Sequence, residues 1–300
     1  KKNRIYMSTL KSMSSISLAQ GVNTIFFPGG TRSRSGRLED KLKLGLLSTC
    51  LDAQRLILEE GRSDKIFVVP VVLNYHFVLE AKYLIEQHLR REGREKYIRS
   101  STDKSKSIRN IIRFIYRLFS AENEIITSFG KPMDVFGNEV SEEGISVDKQ
   151  GNAIDISEYF MRNGMIVKDE QRESIYTKTL GEKIALQYKK ENLVLSSHLL
   201  AFTAFKRLEL SYPDLDIYGL LRMPEEDFSI TVEQFKNDLY VIIQQLFELS
   251  KEGALHLPKG FHLDVETIMW EGIKRLGQYH AEQPLVIKKG RVFSQNFKIL

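Results

Sequence analysis

The stretch Gly29-Gly30-Thr31-Arg32-Ser33-Arg34-Ser35-Gly36 concentrates residue types that hold an oxyanion. Guanidinium groups present forked donors that match phosphate oxygens in pairs. Ser33 and Ser35 add hydroxyl donors, and the glycines let backbone N–H groups approach a ligand closely. If the loop is locally extended, Arg32 and Arg34 share one side and the serines the other. The alternative is a solvated basic loop. Alternation of arginine and serine between glycines favours the anion site, and Arg37 adds a further cation beyond its core. The stretch is not a Walker loop, because no glycine is followed after four residues by Gly-Lys-Ser/Thr. It is not a dinucleotide fingerprint of the G-x-G-x-x-G form either.

The flanking elements are those that position such a loop. The apolar "NTIFF" before it reads as a short buried strand, and Lys43–Glu60 after it as a helix with Leu47, Leu51 and Leu58 on one side. Strand, glycine turn and helix together aim N–H groups at an anion. Residues 5–20 read as a helix closed by Gly21, and "KIFVVPVVLNY" from Lys65 as a second strand, interrupted by Pro70. This alternation predicts an α/β layered domain over residues 1–154, a partly parallel sheet flanked by helices. Glu139–Asp155 reads as a polar excursion, and the chain as a whole shows no internal repeats. Residues 155–300 read as a mainly helical region, with helices near 168–191, 195–210, 231–252 and 264–280. Thr231 is placed as an N-cap three residues before Gln234.

The rest of the chemistry is sparse. One cysteine, Cys50, excludes an internal disulfide framework, suits a reducing compartment and reads as a buried hydrophobe. His262 and Asp264 lack a third ligand at metal spacing, so no metal is expected. His198 reads as a core or interface residue. No run of about 18 apolar residues is present to cross a membrane. In "SIRNIIRFIYRLF", Arg109, Arg113 and Arg117 fall on one helical face opposite Ile108, Ile111, Ile112, Ile115 and Phe119. Such a helix either lies on an anionic membrane surface or packs on a core with its arginines in solvent. Nucleic-acid binding would bring exposed aromatics or a reading helix, and the loop has neither, so none is expected.

"FPGGTRSRSG", Phe27–Gly36, resembles the phosphate-binding block of the glycerophospholipid acyltransferases, written F-P-E-G-T-R-S-R. "VVPVVLNY", Val68–Tyr75, is similar to a later block of that family built around a proline, here Pro70. The resemblance covers roughly residues 20–140. The form "GGxRSRxGRL" and the long helical C-terminal part look more like the glycerol-3-phosphate acyltransferase branch. The resemblance implies acyl transfer in phospholipid synthesis, at the cytoplasmic side of a membrane and peripheral to it. The donor would be a thioester on coenzyme A or acyl carrier protein. The acceptor would be glycerol 3-phosphate, or its 1-acyl derivative in the neighbouring branch. No cofactor is implied. Arg32 and Arg34 would hold the acceptor's phosphate, with Gly29, Gly30, Thr31, Ser33, Ser35 and Gly36 completing the cradle and Pro70 in support. From another class, the rival is a non-catalytic module that binds phosphate or an anionic membrane.

The chain departs from the family in two places. The family's base is a histidine with an aspartate five positions later, and none of the six histidines has one. That motif stands upstream of the phosphate block, so an N-terminally truncated chain without catalytic residues of its own is expected. Gly29 stands where the family has glutamate.

Overall fold

The computed structural model describes residues 3–30, 38–76, 81–94, 124–220, 229–258, 261, 264–276 and 283–294. Two compact units result. The first takes the described residues up to Val72 together with Ser128–Glu191, and the second those of Leu73–Thr127 and Asn192–Leu300.

The first unit is built on α1 (Arg4–Ala19), α2 (Leu44–Glu59) and α4 (Glu170–Glu191). Helix α2 is central because its apolar positions recur at helical spacing: Leu47, Cys50, Leu51 and Ile57 are buried, with Ile66, Val135, Phe136, Leu180 and Ile184 in the same core. Its buried Arg55 is paired with Asp52 (3.0 Å), Glu59 (2.9 Å) and Glu173 of α4 (3.1 Å). Burying a guanidinium is tolerated because each side of the fork meets a carboxylate. Gln54, fully buried, donates to the Asp64 carbonyl (2.9 Å) and accepts from the Ile66 N–H (2.8 Å).

Two expectations change here. "NTIFF" makes no strand pairing among the described residues, and Ile25 and Phe27 are 80% and 77% exposed. Apolar character marks a segment that wants cover, and among the described residues only Phe26 finds it, packed against the core of this unit. The second apolar run pairs only in part: Val68 bridges Met133, and β1 (Val71–Tyr75) then pairs with β2 (Ile125–Phe129). Pro70 stands at the break, its carbonyl accepting from the Gly130 N–H at 2.8 Å. Among the described residues no layered parallel sheet is seen: the strand ladders with described register are small and antiparallel.

The polar excursion and the residues just before it contain a seven-residue repeat of turns. Asp134, Ser141 and Asp148 each open a turn with glycine three positions on, at Gly137, Gly144 and Gly151, where φ is +77, +78 and +87. Each glycine N–H donates to the opening residue's carbonyl (2.9, 3.0 and 3.1 Å). Each opening side chain accepts the N–H four residues on, at 2.9, 3.3 and 2.8 Å. Between these turns lie β3 (Glu139–Val140) and β4 (Ser146–Val147). Phe136 then stacks on Tyr159 (4.4 Å) and meets Tyr176 of α4 edge-on (5.1 Å). The short strands β5 (Met161–Arg162) and β6 (Met165–Ile166) close the segment as a hairpin.

The second unit includes α3 (Ala81–Arg91) and packs α5 (Ser196–Ser211), α7 (Val232–Lys251) and α8 (Val265–Arg275) around Leu200, Leu208, Phe235, Leu239, Ile243 and Met269. A one-turn helix, α6 (Ile217–Leu220), adds buried Leu220. Gly272 allows α8 to approach α5, since a Cβ there would lie 2.8 Å from the Ser196 carbonyl oxygen. Thr231 caps α7 in a reciprocal capping box with Gln234, as its spacing requires. The helical reading omits a sheet in the order β7 (Ser229–Thr231), β9 (Arg291–Ser294), β8 (Leu285–Lys288), all antiparallel.

Candidate functional site

The start of the glycine-arginine loop is a tight turn in the first unit. The Gly30 N–H donates to the Phe27 carbonyl at 2.9 Å, and Gly30 has φ +67. That conformation disfavours any side chain with a Cβ. Thr31, Arg32, Ser33, Arg34, Ser35, Gly36 and Arg37 lie outside the described residues, as do Arg109, Arg113 and Arg117. Where the chain resumes, the Lys43 N–H donates to the Pro28 carbonyl at 2.8 Å. This bond closes the loop at its base and delivers the chain into α2. Lys43, at the N-cap, makes no side-chain hydrogen bond to α2, and the first turn of the helix carries no acid to offset its positive end.

Two side chains that the sequence reading missed lie on the glycines. A Cβ on Gly29 would lie 2.6 Å from Glu39 Oε1, and one on Gly30 would lie 2.6 Å from Lys43 Nζ. A carboxylate and an ammonium thus occupy the space that side chains at 29 and 30 would take. The neighbouring Asp40 is paired with Lys189 of α4 at 3.0 Å, which holds this part of the loop to the helix layer. The only sequence signal for this pair is that Glu39 and Lys43 stand four apart just ahead of a helix.

The remaining sequence candidates resolve separately. Cys50 is buried among leucines, and burial pushes its thiol up to about 11, which leaves it unreactive. Asp264 accepts from the Thr267 N–H at 2.8 Å and caps α8, while His262 lies outside the described residues. His198 is exposed rather than a core residue, with Nε2 3.3 Å from the Tyr75 carbonyl oxygen. Among the described residues no group of three or more His, Cys, Asp or Glu is placed to hold a metal ion. No helix among them is long and apolar enough to cross a membrane.

A second polar constellation lies within the second unit. His76 follows β1, and its Nδ1 lies 3.0 Å from Ser197 Oγ on α5. The Ser197 hydroxyl donates to the His76 carbonyl at 3.2 Å. With its one proton so used, Oγ accepts from Nδ1–H, and the lone pair falls on Nε2. Glu124 is 3.9 Å from Nε2 and is bound by Arg275 of α8 at 2.6 Å. Burial, then the charges of Arg275 and His198, hold His76 down to about 4 against the smaller opposing effect of Glu124. His76, Glu124 and Arg275 line a cleft of about 220 Å³ with Leu195, Pro258, Phe261 and Glu271.

No family model matches the chain. Over 135 residues it is 28% identical to a protein of Haemophilus ducreyi named glycerol-3-phosphate acyltransferase. The matched stretch is 45% of this chain and 15% of that protein's length.

Proposed function

We propose that the chain is part of an acyltransferase of phospholipid synthesis that esterifies glycerol 3-phosphate from an acyl thioester on coenzyme A or acyl carrier protein. The observation that carries this reading is the loop opened by Gly29-Gly30, closed at its base by the Lys43–Pro28 bond and followed by an uncapped helix start. Such a base suits Arg32 and Arg34 to clamp a phosphate and bring the acceptor's hydroxyl to the reacting carbonyl. The likeness to the Haemophilus ducreyi protein supports the same class. In the reaction the hydroxyl oxygen bonds to the thioester carbonyl carbon, the C–S bond breaks, and the hydroxyl proton passes through a base to the departing thiolate. We assign that base to a histidine–aspartate pair outside these 300 residues. Glu39 supplies a carboxylate beside Gly29, where the family motif carries glutamate, and would accept a hydrogen bond from the bound acceptor.

Attachment to an anionic membrane face belongs to the same proposal. Residues 1–38 hold seven lysines and arginines and no acid, and α1 exposes Ile5, Tyr6, Met13 and Ile16.

Steady-state kinetics on the full-length enzyme test the assignment. Loss of one charge-assisted contact costs roughly 1.5–3 kcal/mol, so Arg32→Ala or Arg34→Ala should raise KM for the phosphorylated acceptor about ten- to a hundred-fold. The thioester KM should hold, and Arg37→Ala should matter less. Equal loss against both substrates would refute the clamp.

A further inference from the structure

We propose that the cleft in the second unit binds a small primary ammonium ligand, which donates hydrogen bonds to His76 Nε2, Glu124 and Glu271 while its short hydrocarbon stem lies on Phe261 and Pro258. The argument begins with what the cleft offers. Arg275 is its cationic lining residue and is already engaged by Glu124 at 2.6 Å. Glu271 stands one helical turn before Arg275 on α8 and makes no ion pair among the described residues. Arg275 binds Glu124 through Oε2, the oxygen that also lies 3.9 Å from His76 Nε2, and Oε1 makes no hydrogen bond among the described residues. The Ser197 contacts turn the His76 lone pair outward as a third acceptor.

The charges agree with the hydrogen-bond inventory. Glu124 and Arg275 cancel, His76 is neutral near pH 7, and Glu271 leaves one net negative charge. An ammonium has three donors and no acceptor, the complement of three acceptors around one space. Pro258 and Phe261, both half-buried, add apolar surface to a cleft whose lining is otherwise mainly polar, and give a short alkyl stem one wall to lie on. An anion is the competing occupant, because Ser196 opens α5 at the cleft and helix starts favour negative charge. It would have to displace Glu124 from Arg275 and face Glu271. This inference stands apart from the acyl-transfer reading, since the cleft shares no residue with the glycine-arginine loop.

The test uses the 300-residue chain with n-butylammonium, butan-1-ol and butyrate as probes, read through the imidazole resonances of His76. Butylammonium should shift them saturably with a dissociation constant on the order of 1–10 mM, the range open to so few atoms. Glu271→Gln, an exposed change, should weaken binding about ten-fold, the cost of losing one charged hydrogen bond. Equal affinity for butan-1-ol would remove the role of charge and overturn the proposal. Tighter binding of butyrate, abolished by Arg275→Gln, would make this an anion site. No shift with any probe well above the expected constant would likewise overturn it.

Discussion

Alanine at Gly29 and at Gly30 should separate the folding role of the turn from its chemical role. At Gly30 the backbone has φ +67, and an L-residue held there costs about 1–2 kcal/mol. The new Cβ would also meet Lys43 Cδ at 2.5 Å and Nζ at 2.6 Å, so the lysine must leave as well. Gly29 has no such φ, and its Cβ meets only the end of Glu39, a flexible side chain with solvent to move into. Gly29→Ala should therefore change stability by less than about 0.5 kcal/mol. Its effect should appear in function instead, because it evicts the carboxylate. If Glu39 accepts a hydrogen bond from the acceptor, losing it should raise KM for glycerol 3-phosphate about ten-fold or more. Urea denaturation of the chain reads the first quantity, and acceptor kinetics in the full-length enzyme read the second. Glu39→Gln should match Gly29→Ala, and the double variant should be no worse than either, since both remove one interaction. Two results would refute the reasoning: Gly29→Ala as unstable as Gly30→Ala, or additive losses in the double variant.

Gly272→Ala should destabilise the second unit by about 1–3 kcal/mol by urea denaturation, because a backbone oxygen 2.8 Å from the new Cβ cannot yield without parting α5 from α8. Asp134→Ala should lower stability by about 1–3 kcal/mol, since it leaves the buried Phe136 N–H without its acceptor; Asp148→Ala, in the equivalent turn but only half-buried, should cost clearly less in the same titration. Between pH 6.5 and about 4 the unfolded chain binds a proton that folded His76 refuses, so its contribution is complete above 6.5 and declines as pH falls through this window. Histidine NMR should place its midpoint near 4, and Arg275→Gln should move it upward; an ordinary midpoint would show that the ring is not so buried. Replacing Arg109, Arg113 and Arg117 with glutamine should reduce sedimentation with anionic liposomes at low salt, each residue contributing about 1 kcal/mol; unchanged binding would leave the membrane contact elsewhere.

What was readable in the sequence depended on residues within about one turn of each other. The helix before Gly21, the helix before Gly61 and the Thr231–Gln234 capping box are satisfied by hydrogen bonds spanning only a few positions, so local spacing suffices. The turn repeat at Asp134, Ser141 and Asp148 is equally local, with glycine three positions on each time, yet its middle element has Ser141 and Ile145 where the others have aspartate and asparagine, which hides the period. Lys289 and Gly290, both at positive φ, close the β8–β9 hairpin. Lysine is not a usual residue for such a turn, so the sequence carries no clear signal for the hairpin. Strand pairing was decided only by the tertiary structure. "NTIFF" and "KIFVV" have similar composition, but Val68 meets Met133 while residues 22–27 meet no described strand. An apolar run states that burial is favourable and does not state which surface will provide it. The Gly29-Gly30 motif could be read directly, whereas Glu39 and Lys43 reach it only because the Lys43–Pro28 bond folds the loop back on itself. Likewise His76, Glu124, Ser197 and Arg275 come together from four distant segments. Side chains so far apart in the chain converge only when helix packing fixes their backbones, and no periodicity or spacing rule spans such separations.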